Sequence, residues 1–273
     1  MTLTTTSRCG LALAATALLS SCSSPIDAPS GDTPPQRLKA EIVATYPFDA
    51  TSFTQGLEFA GDGTLLVGTG QKGESRLYRR TLEGKELQST NLPEAYFGEG
   101  ITVVGDSIWQ LTWQDGVALR FDAQTLEPVE TVSFNGEGWG ICATDDGHVL
   151  TSNGSAELKV ADPHTLVPSS TVTVTREGVP VSGLNELECV PADRGPGGAT
   201  VLANIFTTDE IVAIDATTGK VTATIDASGL PNNAEPDINN VLNGIAAIPG
   251  TDRYLLAGKR WPDLYEVKFV PAD

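Results

Sequence analysis

The chain has 273 residues and a formal charge of −18, with 40% hydrophobic and only 19% charged residues. That length suffices for one domain with a sizeable core. So acidic a balance, with no basic run, argues against nucleic acid as a partner and against polybasic docking on a membrane.

At the N-terminus, Arg8 precedes the apolar run Leu11 to Leu19, which ends in Leu19-Ser20-Ser21-Cys22. The run is too short to span a bilayer and fits a signal-peptide core. Residues 1–21 read as a signal peptide, and the Leu-Ser-Ser-Cys ending resembles a bacterial lipobox in which Cys22 becomes lipidated. Cleavage without lipidation is the alternative. Residues 22–37, rich in Ser and Pro, then form a flexible tether to a domain over 38–273. The expected product is an exported monomer in the cell envelope or periplasm, touching a membrane only through its lipid.

Five short apolar strands along this domain open on a shared signature. The openings are Gln55-Gly56-Leu57, Glu99-Gly100-Ile101, Trp139-Gly140-Ile141, Asn185-Glu186-Leu187 and Asn243-Gly244-Ile245, at spacings of 44, 40, 46 and 58 residues. A period near 45 with several strands per repeat predicts an all-β, five-bladed β-propeller. In the second repeat the strands are Ile101–Val104, Ser107–Trp113, Val117–Phe121 and Val129–Phe134. The last repeat shows three strands, and an orphan strand over Glu41–Tyr46 precedes the first. An N-terminal strand completing the last blade would remove its open edge. The 58-residue spacing comes from a polar insertion, Pro231–Asn240, which should overhang the start of the fifth inner strand.

Equivalent inner-strand openings should meet at one mouth of the channel, gathering Gln55, Glu99, Trp139, Asn185 and Asn243. The ends of the second strands, Gly70, Trp113, Asn153, Phe206 and Lys259, should reach the same mouth. One carboxylate, one ammonium, three amides and an aromatic wall suit a small-molecule site. Aromatic surroundings raise the pKa of Glu99 while Lys259 lowers it, so Glu99 can take and give a proton near neutrality. Lys259 is placed to stabilise an oxyanion. The structural readings are a Glu99 bonded only to backbone, packing tryptophans and an exposed Lys259.

The two histidines, His148 and His164, fall in hairpin turns away from the ring, which argues against a His-based zinc site. Oxygens of Gln55, Glu99, Asn185 and Asn243 leave a calcium ion open. Cys142 and Cys189 sit in neighbouring repeats, where a disulfide and two buried thiols both fit.

Seven motifs then carry a resemblance. Phe53-Thr54-Gln55-Gly56-Leu57, Phe97-Gly98-Glu99-Gly100-Ile101-Thr102, Leu111-Thr112-Trp113, Gly136-Glu137-Gly138-Trp139-Gly140, Leu184-Asn185-Glu186-Leu187-Glu188, Leu242-Asn243-Gly244-Ile245-Ala246 and Gly258-Lys259-Arg260-Trp261-Pro262 occur in that order. From about Tyr46 to Phe269 the chain resembles the plant-type glutaminyl cyclases, also found in bacteria. The resemblance implies a five-bladed propeller that converts N-terminal glutamine of peptides or proteins to pyroglutamate, releasing ammonia without a catalytic zinc. It implies Glu99 as acid/base; the chemistry then leads us to expect Lys259 as its catalytic partner, with Gln55, Trp113, Trp139, Asn185, Phe206 and Asn243 holding substrate. No cofactor is expected for catalysis, and a structural calcium stays possible. Departures are Phe48 in Tyr46-Pro47-Phe48-Asp49 where the family has His, Phe206 where it commonly has Trp, and Leu66-Val67-Gly68-Thr69-Gly70 in place of a Tyr-Glu-Ser-Thr-Gly-like stretch. The rival readings are a Ca²⁺-dependent lactonase-like hydrolase and a non-catalytic peptide-binding propeller of the envelope.

Overall fold

The computed structural model describes residues 1–6 and 33–272, so Cys9, Cys22 and the expected cleavage region lie outside the described residues. Residues 1–6 carry no helix or strand. The second compact unit, Pro34–Asp273, is built from strands.

Strand β1 (Gln36–Pro47) comes first. A four-stranded antiparallel sheet follows: β2 (Thr54–Phe59), β3 (Leu65–Thr69), β4 (Arg76–Arg80) and β5 (Glu86–Asn91). The second contains β6 (Gly98–Val104), β7 (Ser107–Thr112), β8 (Val117–Asp122) and β9 (Pro128–Ser133). The third contains β10 (Ile141–Ala143), β11 (Val149–Thr151), β12 (Glu157–Ala161) and β13 (Pro168–Thr173). After the small hairpin β14 (Thr175–Arg176) and β15 (Val179–Pro180), a fourth group runs β16 (Leu184–Cys189), β17 (Val201–Ile205), β18 (Glu210–Asp215) and β19 (Lys220–Asp226). The last group is β20 (Leu242–Ala247), β21 (Arg253–Gly258) and β22 (Asp263–Pro271), along whose free edge β1 lies antiparallel. β1 extends beyond the expected Glu41–Tyr46 because it has two partners: Gln36–Lys39 also run parallel to Ala223–Asp226 of β19. Among the described residues the result is all-β: three four-stranded antiparallel sheets, and a fourth and a fifth strand group that β1 joins into one ten-stranded sheet, consistent with a propeller.

The apolar residues fall into five buried groups, each shared by two neighbouring sheets. Successive residues of a strand point to opposite faces, so Leu65 and Val67 pack toward the last sheet while Leu66 packs toward the second. Every residue of β3 is consequently buried. The disulfide Cys142–Cys189 joins β10 to β16, with Cα atoms 5.4 Å apart. Closing a loop of that length stabilises by about 4 kcal/mol in the chain-entropy account.

The signature has a steric cause. A Cβ on Gly56 would stand 2.6 Å from the Ile101 nitrogen, and one on Gly100 would stand 2.6 Å from the Trp139 oxygen. Gly140 faces the Asn185 carbonyl in the same way. The first three innermost strands thus lean on the next where only glycine fits. The pairing register shifts there too, between Thr54 and Gly56, Gly98 and Ile101, Leu184 and Leu187, and Leu242 and Ile245. The fourth repeat has Glu186 in the glycine position, and its carboxylate accepts the Leu57 N–H at 3.2 Å and the Ile245 N–H at 2.9 Å. Glu188 accepts from Ala247 N at 2.8 Å, and Glu58 accepts from Val103 N at 3.1 Å.

These carboxyls bond inner strands to one another in surroundings poor in water. Burial pushes Glu58 up to about 7, opposed by the Val103 hydrogen bond. Burial, then repulsion from Glu188 at Glu186 and from Glu58 at Glu188, pushes both well above the usual carboxylate range. Glu58 and Glu188 keep intermediate solvent exposure; the protein packed around them still governs the direction of the shift.

Two outcomes are expected. Gly100→Ala should lower stability by about 1–3 kcal/mol through overpacking, read as a lower urea midpoint. The raised carboxyls hold protons in the folded state that the unfolded chain releases near pH 4.5, so stability should fall as pH rises from about 4.5 to 7. Thermal unfolding across that window should show the decline, and Glu58→Gln should flatten it.

Candidate active site

Where the inner strands open, the register shifts turn side chains toward the axis, as bulges beside functional sites do. Gln55 on β2, Glu99 on β6 and Asn185 on β16 reach one cavity of about 280 Å³, together with Trp139 just before β10. Trp113, Phe206 and Lys259, following β7, β17 and β21, line the same cavity. The cavity-lining Gln71, which follows Gly70, has a left-handed backbone at φ 88°, and so do the residues after Phe206 and Lys259, Thr207 at 65° and Arg260 at 57°. This costs about 1–2 kcal/mol at a residue with a Cβ and, at Thr207 and Arg260, reverses the chain immediately after the position that faces the cavity.

Not every expected residue lines it. Asn243 is fully buried behind Gln55, donating from Nδ2 to Gln55 Oε1 at 3.0 Å and to the Thr54 carbonyl at 3.1 Å. Gln55 Nε2 in turn donates to Glu99 Oε1 at 3.1 Å. The two amides form a chain that orients the carboxyl. Asn153 turns into its own loop, where its Oδ1 accepts from Ser155. Gly70 leaves room for the Phe97 ring. Asn185 is held by its backbone, whose carbonyl accepts from Ser152 Oγ at 2.6 Å, and its side chain lines the cavity.

Phe53 and Phe97 complete the wall, their rings 6.0 Å apart and edge to face, with Trp113 5.6 Å from Phe97 and Phe206 5.3 Å from Trp139. The Lys259 ammonium lies 5.0 Å from the Phe53 centroid and 4.9 Å from that of Phe206, so two ring faces flank it. Phe206 thus keeps the aromatic wall at a position where the related pattern has Trp. Phe48 belongs to a core group away from the cavity, with the Arg80 guanidinium over its ring. Leu66 and Val67 likewise serve the cores.

Glu99 and Lys259 are both buried. Burial pushes the Glu99 carboxyl well above its usual range, with the Lys259 charge opposing and the Glu137 charge adding. Burial pushes the Lys259 ammonium down to about 8, against the pull of Glu99. Burial thus draws the proton preferences of the two groups toward each other, an arrangement found where side chains move protons.

Glu137 has no role in the sequence reading. Its Oε2 accepts from Trp113 Nε1 at 3.1 Å and from Trp139 Nε1 at 3.0 Å, and its Oε1 accepts from Gln114 at 2.7 Å. One carboxylate therefore sets both indoles. The hydrogen bond from Gln114, with those from Trp139 and Trp113, holds its pKa below the usual value. Gln71 and Asn239 also line the cavity. No spacing rule marks them, because a left-handed turn and an insertion bring them there.

A family model described as Glutamine cyclotransferase matches residues 12–269. The chain belongs to the glutamine cyclotransferase family. It is 34% identical over 239 residues to the Arabidopsis thaliana glutaminyl-peptide cyclotransferase, covering 85% of this chain and 72% of that protein. It also superposes on the crystal structure of Myxococcus xanthus glutaminyl cyclase with a TM-score of 0.79 at 32% identity, over 88% of this chain and 100% of that one. In this member of the family, Glu137→Ala should free the indoles and withdraw a negative neighbour from Glu99. Acrylamide should then quench tryptophan emission more strongly, and the Glu99 carboxyl should titrate at lower pH by carbon NMR.

Proposed function

We propose that the chain is a glutaminyl-peptide cyclotransferase, a closed five-bladed propeller that cyclises N-terminal glutamine of peptides or proteins to pyroglutamate. The observation that supports this most is Glu99, buried in an aromatic cavity, one oxygen engaged by Gln55 and Lys259 sharing the site. The substrate α-amine attacks its own γ-amide carbon, forming the lactam C–N bond. The amine loses a proton to Glu99, and Glu99 returns a proton to the departing nitrogen, which leaves as ammonia. Lys259 and the Asn185 amide stabilise the oxyanion, at a position where water does not screen them. Gln55 and Asn243 act one step back, fixing the carboxyl that moves the proton. Trp113, Trp139 and Phe206 fold the glutamine stem toward its amine. Because attack is intramolecular, orientation supplies much of the acceleration.

The sequence further supports export and a lipid on Cys22, and the Cys142–Cys189 disulfide suits an oxidising compartment. No metal takes part in this reaction.

Ammonia release from a Gln-Phe peptide by the full chain tests the reading. The parent should turn over in the presence of EDTA, and Glu99→Gln should lose about 10²–10⁴-fold in kcat. Activity lost to EDTA and restored by Ca²⁺ would favour the lactonase-like hydrolase instead. Binding unchanged in Glu99→Gln, with no turnover by either protein, would favour a peptide-binding propeller. The pH profile of kcat/KM should rise as the substrate amine and Glu99 lose protons and fall above about pH 8, where Lys259 loses its charge. Lys259→Arg, whose guanidinium stays charged, should lack that alkaline fall at whatever rate it retains.

A further inference from the structure

A cavity of about 280 Å³ takes one side chain and its backbone, so the remainder of a peptide must leave through the mouth. The segment at that mouth is the insertion 231–240. It is held at both ends on the last sheet. Buried Asn240 accepts at its carbonyl from Trp261 Nε1 at 3.2 Å and from Asn232 Nδ2 at 2.7 Å. Its side chain donates to the Glu235 carbonyl at 2.8 Å and accepts from Arg260, the residue after Lys259, at 3.3 Å. The Tyr265 hydroxyl donates to the Pro231 carbonyl at 2.7 Å.

This anchoring fixes what the loop presents. Asp237 Oδ1 accepts from the Asn239 backbone N–H at 2.7 Å and from its Nδ2 at 2.9 Å. With Nδ2 engaged, the acceptor oxygen of the cavity-lining Asn239 is left for a ligand. Ile238, one Cα step away, is 87% exposed, a large apolar side chain in an otherwise polar segment. Exposed carboxylates of Glu235 and Asp237 stand close by in the chain.

We infer that the insertion reads the residue following the N-terminal glutamine: Asn239 accepts that residue's peptide N–H, and Ile238 contacts its side chain. This deepens the cyclase reading and rests on it. The preferred class is a peptide with an apolar second residue. An acidic one is disfavoured by Glu235 and Asp237, like charges at short range.

The test compares kcat/KM for glutaminamide, which has no second residue, with Gln-Leu and Gln-Asp peptides of equal length, for the parent, Ile238→Ser and Ile238→Lys. The parent should favour Gln-Leu over Gln-Asp by about tenfold, and Ile238→Ser should cut the ratio of Gln-Leu to glutaminamide by about fivefold. Ile238→Lys should move preference toward Gln-Asp. Turnover of all three substrates with ratios that neither variant changes would overturn the inference and leave the cyclase reading standing. No turnover of any substrate, glutaminamide included, would overturn both. Ile238 is exposed, so both variants should fold, and thermal unfolding run alongside verifies it.

Discussion

The structure turns on the contact between neighbouring innermost strands at the signature glycines. A side chain at Gly56, Gly100 or Gly140 would run into the backbone of the following strand, so these strands can approach so closely only where the Cβ is absent. Drawing the strands together leaves no room for a regular ladder, and the register slips at the same place in four of the five strand groups. The residue displaced by the slip is the one aimed at the axis. Packing and site placement are therefore one event in the first three repeats: the glycine that permits closeness also presents the preceding Gln55, Glu99 or Trp139 to the cavity. The fourth repeat shows the alternative solution. There Glu186 spans the gap and bonds the backbone of β2 and β20, replacing close approach by a buried carboxyl.

The buried acids divide into two kinds by what opposes their desolvation. Glu58, Glu186 and Glu188 meet backbone N–H groups that favour the charged form, but burial outweighs them, with repulsion from neighbouring carboxyls adding at Glu186 and Glu188, and keeps a proton in the folded state. Glu99 meets an amide, a lysine and a distant carboxylate. Only there does ionising one group ease the charging of another, and only there do aromatic walls enclose space for a substrate. Proximity to the axis alone would make all four acids equivalent. Their neighbours separate them.

The repeat, the order of strands and the pair Glu99 and Lys259 were legible in the chain because they depend on period and on residue types at equivalent positions. Asn243 shared that equivalence yet fell one layer back: Gln55 is the longer side chain and occupies the cavity edge, leaving Asn243 to support it. Asn153 shared it too and capped its own turn instead. The Trp113–Glu137–Trp139 bridge was invisible since it joins the end of one sheet to the approach of the next, with no fixed spacing. Phe53 and Phe97 stood in the quoted motifs, but their part in flanking Lys259 and extending the ring wall required the fold. The extra length of β1 was unreadable for a related reason: its parallel partner β19 lies far along the chain.

Chemistry and selectivity occupy different kinds of backbone here. Glu99 and the amides that orient it sit on strands locked between buried layers, where a shift of one residue would disturb the packing of two sheets. The intramolecular ring closure proposed above asks for that rigidity, since its rate depends on holding a flexible side chain against its own amine. The insertion 231–240 is under no such constraint. Its bonds are made chiefly within itself and to the last sheet, so its exposed residues can change without moving Glu99. A site arranged this way can keep one reaction while altering the peptides on which it acts.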